Sequence, residues 1–474
     1  MTDPKPAPER HAAAHAAPEP VDTLLSPQWV IPIEPADRVL ERHSIAIRDG
    51  RIVDLLPTEA ARARHGSQVE VSLPGCVVAP GLVNCHTHAA MALMRGLADD
   101  LALHEWLSDY IWPVESHCVN EAFVHDGTRL ACAEMLRGGV TCFNDMYFYP
   151  DAAARAAQSC GMRVCVGLIC IDFPTVWAGN PDEYISKGLE VHDQFRGCST
   201  VHTAFAPHAP YTVSDGPLQR LAVLAEELDI PLHMHVHETR TEVERAVAEH
   251  GRRPIARLDT LGLVGPRLMA VHATALEASE IELFAERGVH VVHCPESNLK
   301  LASGICPVHT LVGAGVNIAI GTDGSASNND LDMLGETRTA ALLASGSSGV
   351  AGALNAHKAL ECATLGGARA LGLEHRIGSI VPGKSADLFA VDMSGLETQP
   401  LFDVYSQLLY AASRAQVSDV WVEGRRVLTN RQLSLVDTAE LGARVRQWQT
   451  RVAAAVPTRA AHSVEDTSTR EPGR

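Results

Sequence analysis

The sequence Val83-Asn84-Cys85-His86-Thr87-His88 joins a short apolar run to two histidines that lie two residues apart. In a β-strand, residues i and i+2 point to the same face, so His86 and His88 can share one metal ion. Histidine supplies neutral nitrogen ligands for zinc and similar divalent ions. A polar loop with two incidental histidines is the alternative interpretation, and the rest of the chain decides between the two.

Short apolar runs alternate with amphipathic helical stretches between residues 80 and 376. The strand candidates are residues 82–86, 140–143, 164–171, 201–206, 231–236, 268–272, 289–293 and 316–321. The helical stretches between them include residues 120–137, 214–228, 275–286 and 331–344, with Asn120 and Ser214 at the expected N-caps. Eight strand–helix units over roughly 300 residues predict a (β/α)8 barrel of the TIM type. An open doubly wound sheet is the alternative, but the G-x-G-x-x-G turn of a dinucleotide site is missing after the first strand.

Both ends of the chain carry β-strand signals instead. Asp49-Gly50 and Glu423-Gly424 each separate two strand-like runs, which predicts two tight hairpins. We therefore expect an α/β protein in which the barrel is flanked by a small β-sandwich domain made from both chain ends. The predicted divisions are 1–20 (disordered tail), 21–79 (β-sandwich, first part), 80–376 (barrel), 377–432 (β-sandwich, second part), 433–456 (C-terminal helix) and 457–474 (disordered tail).

The overall composition limits the class of partner. Hydrophobic residues make up 46% and charged residues 20% of the chain, which is ordinary for a globular protein. The 39 basic residues face 57 acidic ones, and the resulting formal charge of −18 argues against nucleic acid as a partner. The twelve cysteines form no C-x-x-C pair and residues 1–20 contain no apolar leader, so we expect reduced thiols in a cytoplasmic protein. No apolar run is long enough to predict a membrane span.

Active-site groups of a TIM-type barrel lie at the carboxyl ends of its strands. Nearly every predicted strand here ends in a metal-ligand or acid–base side chain, whereas chance would place roughly one or two such groups. In strand order these residues are His86, His88, His208, His233, His235, His237, Glu238, His272, His293, Asn298 and Asp323.

Three histidines and one carboxylate complete a site for one metal ion that leaves a position for water. The set that we select is His86, His88, His235 and Asp323. His233 lies deeper along the same strand and is expected to be a core histidine. Glu238 follows His235 closely, where a carboxylate can accept the proton of a water molecule that a metal has acidified. Buried carboxylates at such positions are costly unless they are paired or bound to metal, which favours a functional site.

This constellation resembles the amidohydrolase superfamily. The motifs that carry the resemblance are Asn84-Cys85-His86-Thr87-His88, Met234-His235-Val236-His237-Glu238, Val271-His272 and Gly321-Thr322-Asp323-Gly324. Within the superfamily, the chain is most similar to the 5′-methylthioadenosine/S-adenosylhomocysteine deaminases, and the similarity runs from about residue 21 to 430. The stretches that support this closer resemblance are residues 88–91, 95–100, 105–107, 112–115, 206–208 and 325–329.

The resemblance implies hydrolytic deamination of an adenine nucleoside (5′-methylthioadenosine, adenosine or S-adenosylhomocysteine) to the inosine analogue and ammonia. It implies one divalent ion, zinc or alternatively iron(II), held by the four residues selected above. Glu238 would activate water and move its proton to the purine ring, His272 would polarise the attacked centre or steady the hydroxide, and Asp323 would relay a proton to ammonia. The implied substrate contacts are Glu115 (ribose hydroxyls), Trp106, His208, Glu238 and Ser327. A homodimer or homotetramer is also implied.

Two positions refine this expectation. Superfamily members with two metals use a carboxylated lysine at the end of strand 4, and residues 199–206 contain no lysine, so one metal is expected. Members that favour S-adenosylhomocysteine offer arginines near strand 3 to the substrate carboxylate. Residues 164–170 contain none, and Arg163 precedes the strand at its opposite end. Methylthioadenosine or adenosine is therefore the expected substrate.

Two rival functions remain open from the sequence. A related amidohydrolase could act on another amino- or chloro-heterocycle, as guanine deaminases and triazine hydrolases do. Triazine hydrolases tend to lose an acidic residue at strand 5 or 8, but Glu238 and Asp323 are both present here. A catalytically silent metal-binding scaffold would have lost its base, and the intact Glu238 argues against it. Zinc deaminases with H-x-E and P-C-x-x-C motifs are excluded by the missing cysteine pair.

Overall fold

A computed structural model describes residues 18–457. The strands are β1 (Glu19–Val30), β2 (Leu40–Glu41), β3 (His43–Arg48), β4 (Arg51–Pro57), β5 (His65–Pro80), β6 (Leu82–Thr87), β7 (Val140–Asp145), β8 (Arg163–Cys170), β9 (Val201–Pro207), β10 (Leu232–Val236), β11 (Leu268–His272), β12 (His290–His293), β13 (Asn317–Ile320), β14 (Leu388–Asp392), β15 (Val417–Val422), β16 (Arg425–Thr429) and β17 (Gln432–Leu433).

The α-helices are α1 (Thr58–Arg64), α2 (Leu103–Trp106), α3 (Trp112–Cys118), α4 (Glu121–Arg137), α5 (Pro150–Cys160), α6 (Pro181–Gln194), α7 (Asp215–Leu228), α8 (Arg240–His250), α9 (Pro254–Thr260), α10 (Ala278–Arg287), α11 (Pro295–Lys300), α12 (Val308–Gly313), α13 (Met333–Ser348), α14 (Ala356–Glu361), α15 (Gly367–Ala370), α16 (Val404–Tyr410) and α17 (Thr438–Ala455). Within residues 18–457, no helix combines the length and the apolar character that crossing a bilayer requires.

Eight parallel strands, β6 to β13, pair in the order of the chain and form the barrel. Each of the eight predicted apolar runs corresponds to one of these strands, so the prediction of a TIM-type barrel is confirmed. Most residues of the strands are buried, because the strands face the barrel interior on one side and the surrounding helices on the other. The carboxyl ends of all eight strands consequently meet at one end of the barrel.

The barrel closes between its first strand, β6, and its last, β13, by side-chain bonds rather than a regular ladder. Asn84 donates from Nδ2 to Thr322 Oγ1 at 2.8 Å and accepts the Thr322 backbone N–H at 3.0 Å. The Asp323 N–H donates to the His86 carbonyl at 2.9 Å. A Cβ on Gly321 would lie 2.7 Å from the His86 nitrogen, so this close approach requires glycine. We call this junction the seam.

The strands from both chain ends form one mixed sheet in the order β17-β16-β15-β14-β5-β1-β3-β4, with β2 beside β1. The long β5 joins the two halves, since it pairs parallel to β1 and antiparallel to β14. Asp49 and Gly50 have φ angles of 51° and 74°, as expected for the predicted hairpin turn. The structure thus confirms a separate domain built from both ends of the chain.

Most parts of the predicted tails, residues 1–17 and 458–474, lie outside the described residues. The first strand begins at Glu19, inside the predicted N-terminal tail, because Glu19 already pairs with His65 of β5. Helix α10 begins at Ala278, three residues later than predicted, because Glu277 and Glu280 form a capping box there. Asn120 caps α4 with its side chain as predicted, whereas Ser214 occupies the N-cap of α7 without a capping bond.

Candidate active site

A cavity of about 460 Å³ opens at the carboxyl ends of the barrel strands. Nine of the ten residues that the sequence assigns to the site line this cavity: His88, Trp106, Glu115, His208, His235, Glu238, His272, Asp323 and Ser327. The tenth, His86, is fully buried beneath them. The fold therefore brings residues from most barrel strands to one small volume.

Histidine and carboxylate ligand atoms meet at the floor of the cavity. One ligand atom each from His86, His235 and His272 lie within 4.8 Å of one another, and the same holds for His86, His88 and Asp323. Asp323 Oδ1 lies 3.2 Å from His86 Nε2 and 3.4 Å from His88 Nε2. These two overlapping groups are the donor set that a single zinc ion prefers.

Hydrogen bonds behind the imidazoles orient them toward this point. His88 Nδ1 bonds to the Met146 carbonyl at 2.6 Å, and His235 Nδ1 bonds to the His208 carbonyl at 2.8 Å. A carbonyl can only accept, so each Nδ1 carries the proton and each Nε2 keeps a free lone pair. Burial lowers the pKa of His235 well below its ordinary value, which keeps this imidazole neutral and able to bind a metal.

His86 shows most directly that a cation fits this site. Its Nδ1 lies 2.9 Å from His233 Nε2, and within residues 18–457 its buried Nε2 makes no hydrogen bond of good geometry, although Asp323 Oδ1 lies 3.2 Å away. Burial, only partly offset by Asp323, lowers the pKa of His86 to about 4, so the ring is neutral at pH 7. A buried nitrogen lone pair beside a carboxylate is unfavourable unless a cation lies between them.

Asp323 is held in an unusual backbone conformation. Its φ angle is 64°, in the left-handed region that a non-glycine residue rarely adopts. Ser297 donates its hydroxyl to Oδ2 at 2.6 Å, and the Gly324 N–H donates to Oδ1 at 2.7 Å. Burial alone raises the pKa of Asp323, but His86 and the neighbouring imidazoles lower it well below the ordinary value. The carboxylate is therefore charged where a metal ligand is needed.

Glu238 lies beside this group, and the pKa of its carboxyl group shifts in the opposite direction to that of Asp323. Its Oε1 is 3.9 Å from His272 Nε2, and burial raises the pKa of its carboxyl group. Glu242 accepts the backbone N–H groups of Glu238 and His237 at 2.8 and 3.2 Å, which fixes the turn after β10. A carboxyl group with a raised pKa in reach of the metal site accepts a proton more readily than an ordinary carboxylate and can pass it on.

The far wall of the cavity combines one carboxylate with apolar side chains. Tyr147 donates its hydroxyl to Glu115 Oε1 at 2.7 Å, which leaves Oε2 for another donor. Burial, only partly offset by Tyr147, raises the pKa of Glu115 to about 7. The apolar side chains around it are Leu103, Trp106, Ile111, Trp112, Ile171, Phe173 and Val176. Of the residues that the structure describes, no lysine or arginine lines the cavity.

Several supporting residues were not predicted from the sequence, because their roles depend on contacts between distant segments. Tyr147 holds Glu115, and Ser297 holds Asp323. Asn298, which the sequence places among the residues at the strand ends, lies behind His272 and bonds to its Nδ1 at 2.8 Å. His233, predicted to be a core histidine, is fully buried and contacts His86. The one local signal was the position of Ser297 and Asn298 just after a barrel strand.

Comparisons with known proteins agree with this geometry. A model of the amidohydrolase family matches residues 77–427. The chain is 47% identical over 435 residues to the 5-methylthioadenosine/S-adenosylhomocysteine deaminase of Saccharophagus degradans, which covers 92% of this chain and 98% of that protein. It is 46% identical to the protein of the same name from Teredinibacter turnerae, over 92% of this chain and 98% of that protein.

A solved structure shares both the fold and much of the sequence. The crystal structure of an adenosine deaminase from Xanthomonas campestris with bound zinc superposes with a TM-score of 0.91 and 56% sequence identity. The match covers 92% of this chain and 100% of that chain.

Proposed function

Because this chain belongs to the amidohydrolase family, we propose that it replaces the 6-amino group of an adenine nucleoside by oxygen. The products are the inosine analogue and ammonia. The protein is a metal-dependent hydrolase, and its cofactor is a single divalent ion, zinc. The observation that carries the proposal is the convergence of imidazoles and the Asp323 carboxylate beside Glu238, in a cavity that has room for a nucleoside.

We assign the metal to His86, His88, His235 and Asp323. Support comes from their close approach and from the unpaired, buried Nε2 of His86. The chemistry that a divalent ion supplies at such a site is a water molecule of lowered pKa, so that hydroxide is available at neutral pH. His272 also offers its Nε2 to this group, and we assign it to the substrate side because it lies next to Glu238.

Two carboxyl groups move the protons in this proposal. Glu238 takes the first proton of the attacking water and delivers it to the purine ring nitrogen, while the oxygen bonds to C6. Asp323 takes the second proton from the new hydroxyl group and passes it to the amino group. The C6–N bond then breaks, ammonia leaves and the C6 carbonyl forms. The raised pKa of Glu238 supports its role as the group that takes up the proton of the attacking water.

The far wall determines the substrate class in this proposal. Glu115 accepts hydrogen bonds from ribose hydroxyls through Oε2, Trp106 packs nearby, and His208 and Ser327 contact the nucleoside. The apolar side chains around Glu115 suit a methylthio group better than a charged amino-acid tail. No cation lines the cavity to pair with the carboxylate of S-adenosylhomocysteine. We therefore propose that 5′-methylthioadenosine and adenosine are better substrates than S-adenosylhomocysteine.

The direct test is an ultraviolet absorbance assay on the purified, zinc-loaded protein with adenosine, methylthioadenosine, S-adenosylhomocysteine and guanine. We expect the adenine-to-hypoxanthine spectral change with the first two substrates, and a lower kcat/KM with the third. The same protein after removal of zinc by a chelator is the control and should be inactive. Activity on guanine with no change in the three adenine nucleosides would contradict the proposal and favour the heterocycle hydrolase alternative.

We also propose a cytoplasmic location and a homo-oligomer, dimer or tetramer, that acts on a free nucleoside without nucleic acid. Support for the location comes from the twelve cysteines, all of which are unpaired thiols. Light scattering on the eluate of a sizing column measures the oligomeric state, and a monomer at micromolar concentration would contradict that part of the proposal.

A further inference from the structure

Glu336, on helix α13, lies outside the cavity but contacts two of the loops that build the metal site. Its side chain is fully buried. Its two oxygens accept from the Glu296 N–H and from Asn328 rather than from a lysine or arginine, although burying a carboxyl group without a cation costs free energy. Burial, and then the charge of Glu296, raises the pKa of Glu336 well above its ordinary value. A group retained at this cost needs a function, and its hydrogen bonds indicate one.

The first hydrogen bond leads to the backbone of Asp323. Glu336 Oε2 accepts from Asn328 Nδ2 at 2.9 Å, and the same Nδ2 donates to the Thr322 carbonyl at 2.8 Å. That carbonyl belongs to the peptide group whose N–H, on Asp323, donates to the His86 carbonyl at 2.9 Å. Both ends of the peptide group before Asp323 are therefore fixed. Such fixing is what a strained residue with a φ of 64° requires to persist.

The second hydrogen bond leads to the side chain of Asp323. Glu336 Oε1 accepts the backbone N–H of Glu296 at 2.9 Å, in the first turn of α11. The next residue along, Ser297, donates its hydroxyl to Asp323 Oδ2. Asn298 follows and bonds to His272 Nδ1. One carboxyl group thus fixes the segment that orients both Asp323 and His272.

We propose that Glu336 is a positioning residue that sets the backbone and the side chain of Asp323 for metal binding. This inference rests on the metal-site part of the proposed function and not on the identity of the substrate. In this proposal the carboxyl group of Glu336 joins the loop at residues 322–329 to the start of α11, so that the two segments form one unit.

The test is Glu336→Gln, which keeps the size of the side chain but replaces one acceptor oxygen by a donor. The new amide nitrogen would face either Asn328 Nδ2 or the Glu296 N–H, both of which are donors. Rotating the Asn328 amide would bring its oxygen against the Thr322 carbonyl, so the conflict cannot be relieved there. We expect zinc affinity, measured by competition with a chromophoric chelator, and kcat each to fall roughly 10- to 100-fold, with little change in KM.

A matched control separates positioning from general destabilisation. Asp387→Asn changes a buried carboxylate at the opposite end of the barrel, where it bonds to Arg163, and should lower the melting temperature without changing zinc affinity. Asn328→Ala should reproduce the Glu336→Gln effect, and it carries the test if Glu336→Gln does not fold. The double variant should lose no more zinc affinity than the weaker-binding single variant, because once the Asn328 amide is gone the Gln amide nitrogen can turn to that side and its oxygen can still accept the Glu296 N–H.

Wild-type zinc affinity and kcat in folded Glu336→Gln would overturn the inference. Equal loss of zinc affinity in Asp387→Asn, or additive losses in the double variant, would do so as well. If the wild-type protein binds zinc but deaminates no adenine nucleoside, the proposed function is wrong, while a fall in zinc affinity in Glu336→Gln still supports the positioning role.

Discussion

The two ends of the barrel both bury charged side chains, but they satisfy them differently. At the amino end, Arg163 is the first residue of β8 and is fully buried. All three of its guanidinium nitrogens donate hydrogen bonds, with Asp387 accepting at 2.9 and 3.2 Å and Ser199, Ser385 and Glu423 accepting as well. This cluster joins the barrel to the mixed sheet, and the residues present complete it.

At the carboxyl end of the barrel, the buried polar groups do not all find hydrogen-bond partners among their neighbours. His86 Nε2 has no hydrogen-bond partner, and several imidazoles turn their Nε2 atoms toward the same point near Asp323. The protein's own residues orient these groups from behind but supply no cation between them. The difference teaches that buried charge by itself does not identify a functional site. Several imidazole nitrogens that the fold brings together beside one carboxylate do indicate one.

The largest expected effect comes from removing a metal ligand. His235→Ala should lose zinc, and turnover should fall by more than the ~10⁴-fold that loss of an acid–base group can cost. The matched control is His202→Ala, which removes a half-buried histidine near the amino end of the neighbouring strand β9. Zinc content by atomic absorption and kcat by the absorbance assay measure both variants. Full zinc occupancy in His235→Ala, or zinc loss in His202→Ala, would break the contrast between the two ends.

The second expected effect separates the base from the metal ligands. Glu238→Gln keeps the shape of the side chain but cannot carry the proton, so kcat should fall about 10²- to 10⁴-fold. Zinc stoichiometry should equal that of the wild-type protein, because Glu238 is not one of the assigned ligands. Retention of full activity in this variant would remove Glu238 from the proposed mechanism.

The third prediction concerns the amino end. Arg163→Met leaves Asp387 buried without its cation and should lower the free energy of unfolding by about 3–5 kcal/mol. Denaturant titration measures this change. At 25 °C the folded variant should keep the wild-type zinc content and kcat, since the cluster lies away from the cavity. A change in kcat that exceeds the change in folded fraction would show that the two ends are coupled.

The smallest expected effect is on substrate binding at the far wall. Glu115→Gln weakens a charged hydrogen bond worth about 1.5–3 kcal/mol, so KM should rise roughly 10- to 100-fold with a smaller change in kcat. The pKa of Glu115 is raised to about 7, so the wild-type carboxylate is lost as pH falls below that value. KM of the wild-type protein should therefore rise between pH 7 and 6. A similar rise in Glu115→Gln would assign this pH dependence to another group.

Much of the fold could be predicted because the barrel repeats one local pattern. Each strand is an apolar run bounded by helical stretches, so all eight strands could be located from nearby residues. The parallel pairing of β1 with β5 could not be predicted, since it depends on register between separate segments. The start of α10 was missed because a glutamate took the cap position where no typical cap residue stands.

The residues of the candidate site also fall into two groups, those that the nearby sequence predicts and those that depend on contacts between distant segments. His86, His88, His235 and Asp323 could be selected because they stand at predicted strand ends, where barrel geometry converges. Tyr147 and Ser297 could not, because a hydroxyl group becomes a partner of Glu115 or Asp323 only after the chain has folded. The raised pKa of Glu115 could not be predicted from the sequence either, since it results from burial in the folded protein.

The seam has a consequence for how the protein matures. It joins Asn84 to Thr322, which are 238 residues apart, and His86 and Asp323 lie on its two sides. During synthesis the first two histidines leave the ribosome long before the aspartate does. A nascent chain can therefore offer an ion at most three of the four proposed ligands until the last barrel strand has docked. The metal ion can therefore be bound by all four proposed ligands only after the barrel has folded, so tight binding of the ion indicates a complete barrel.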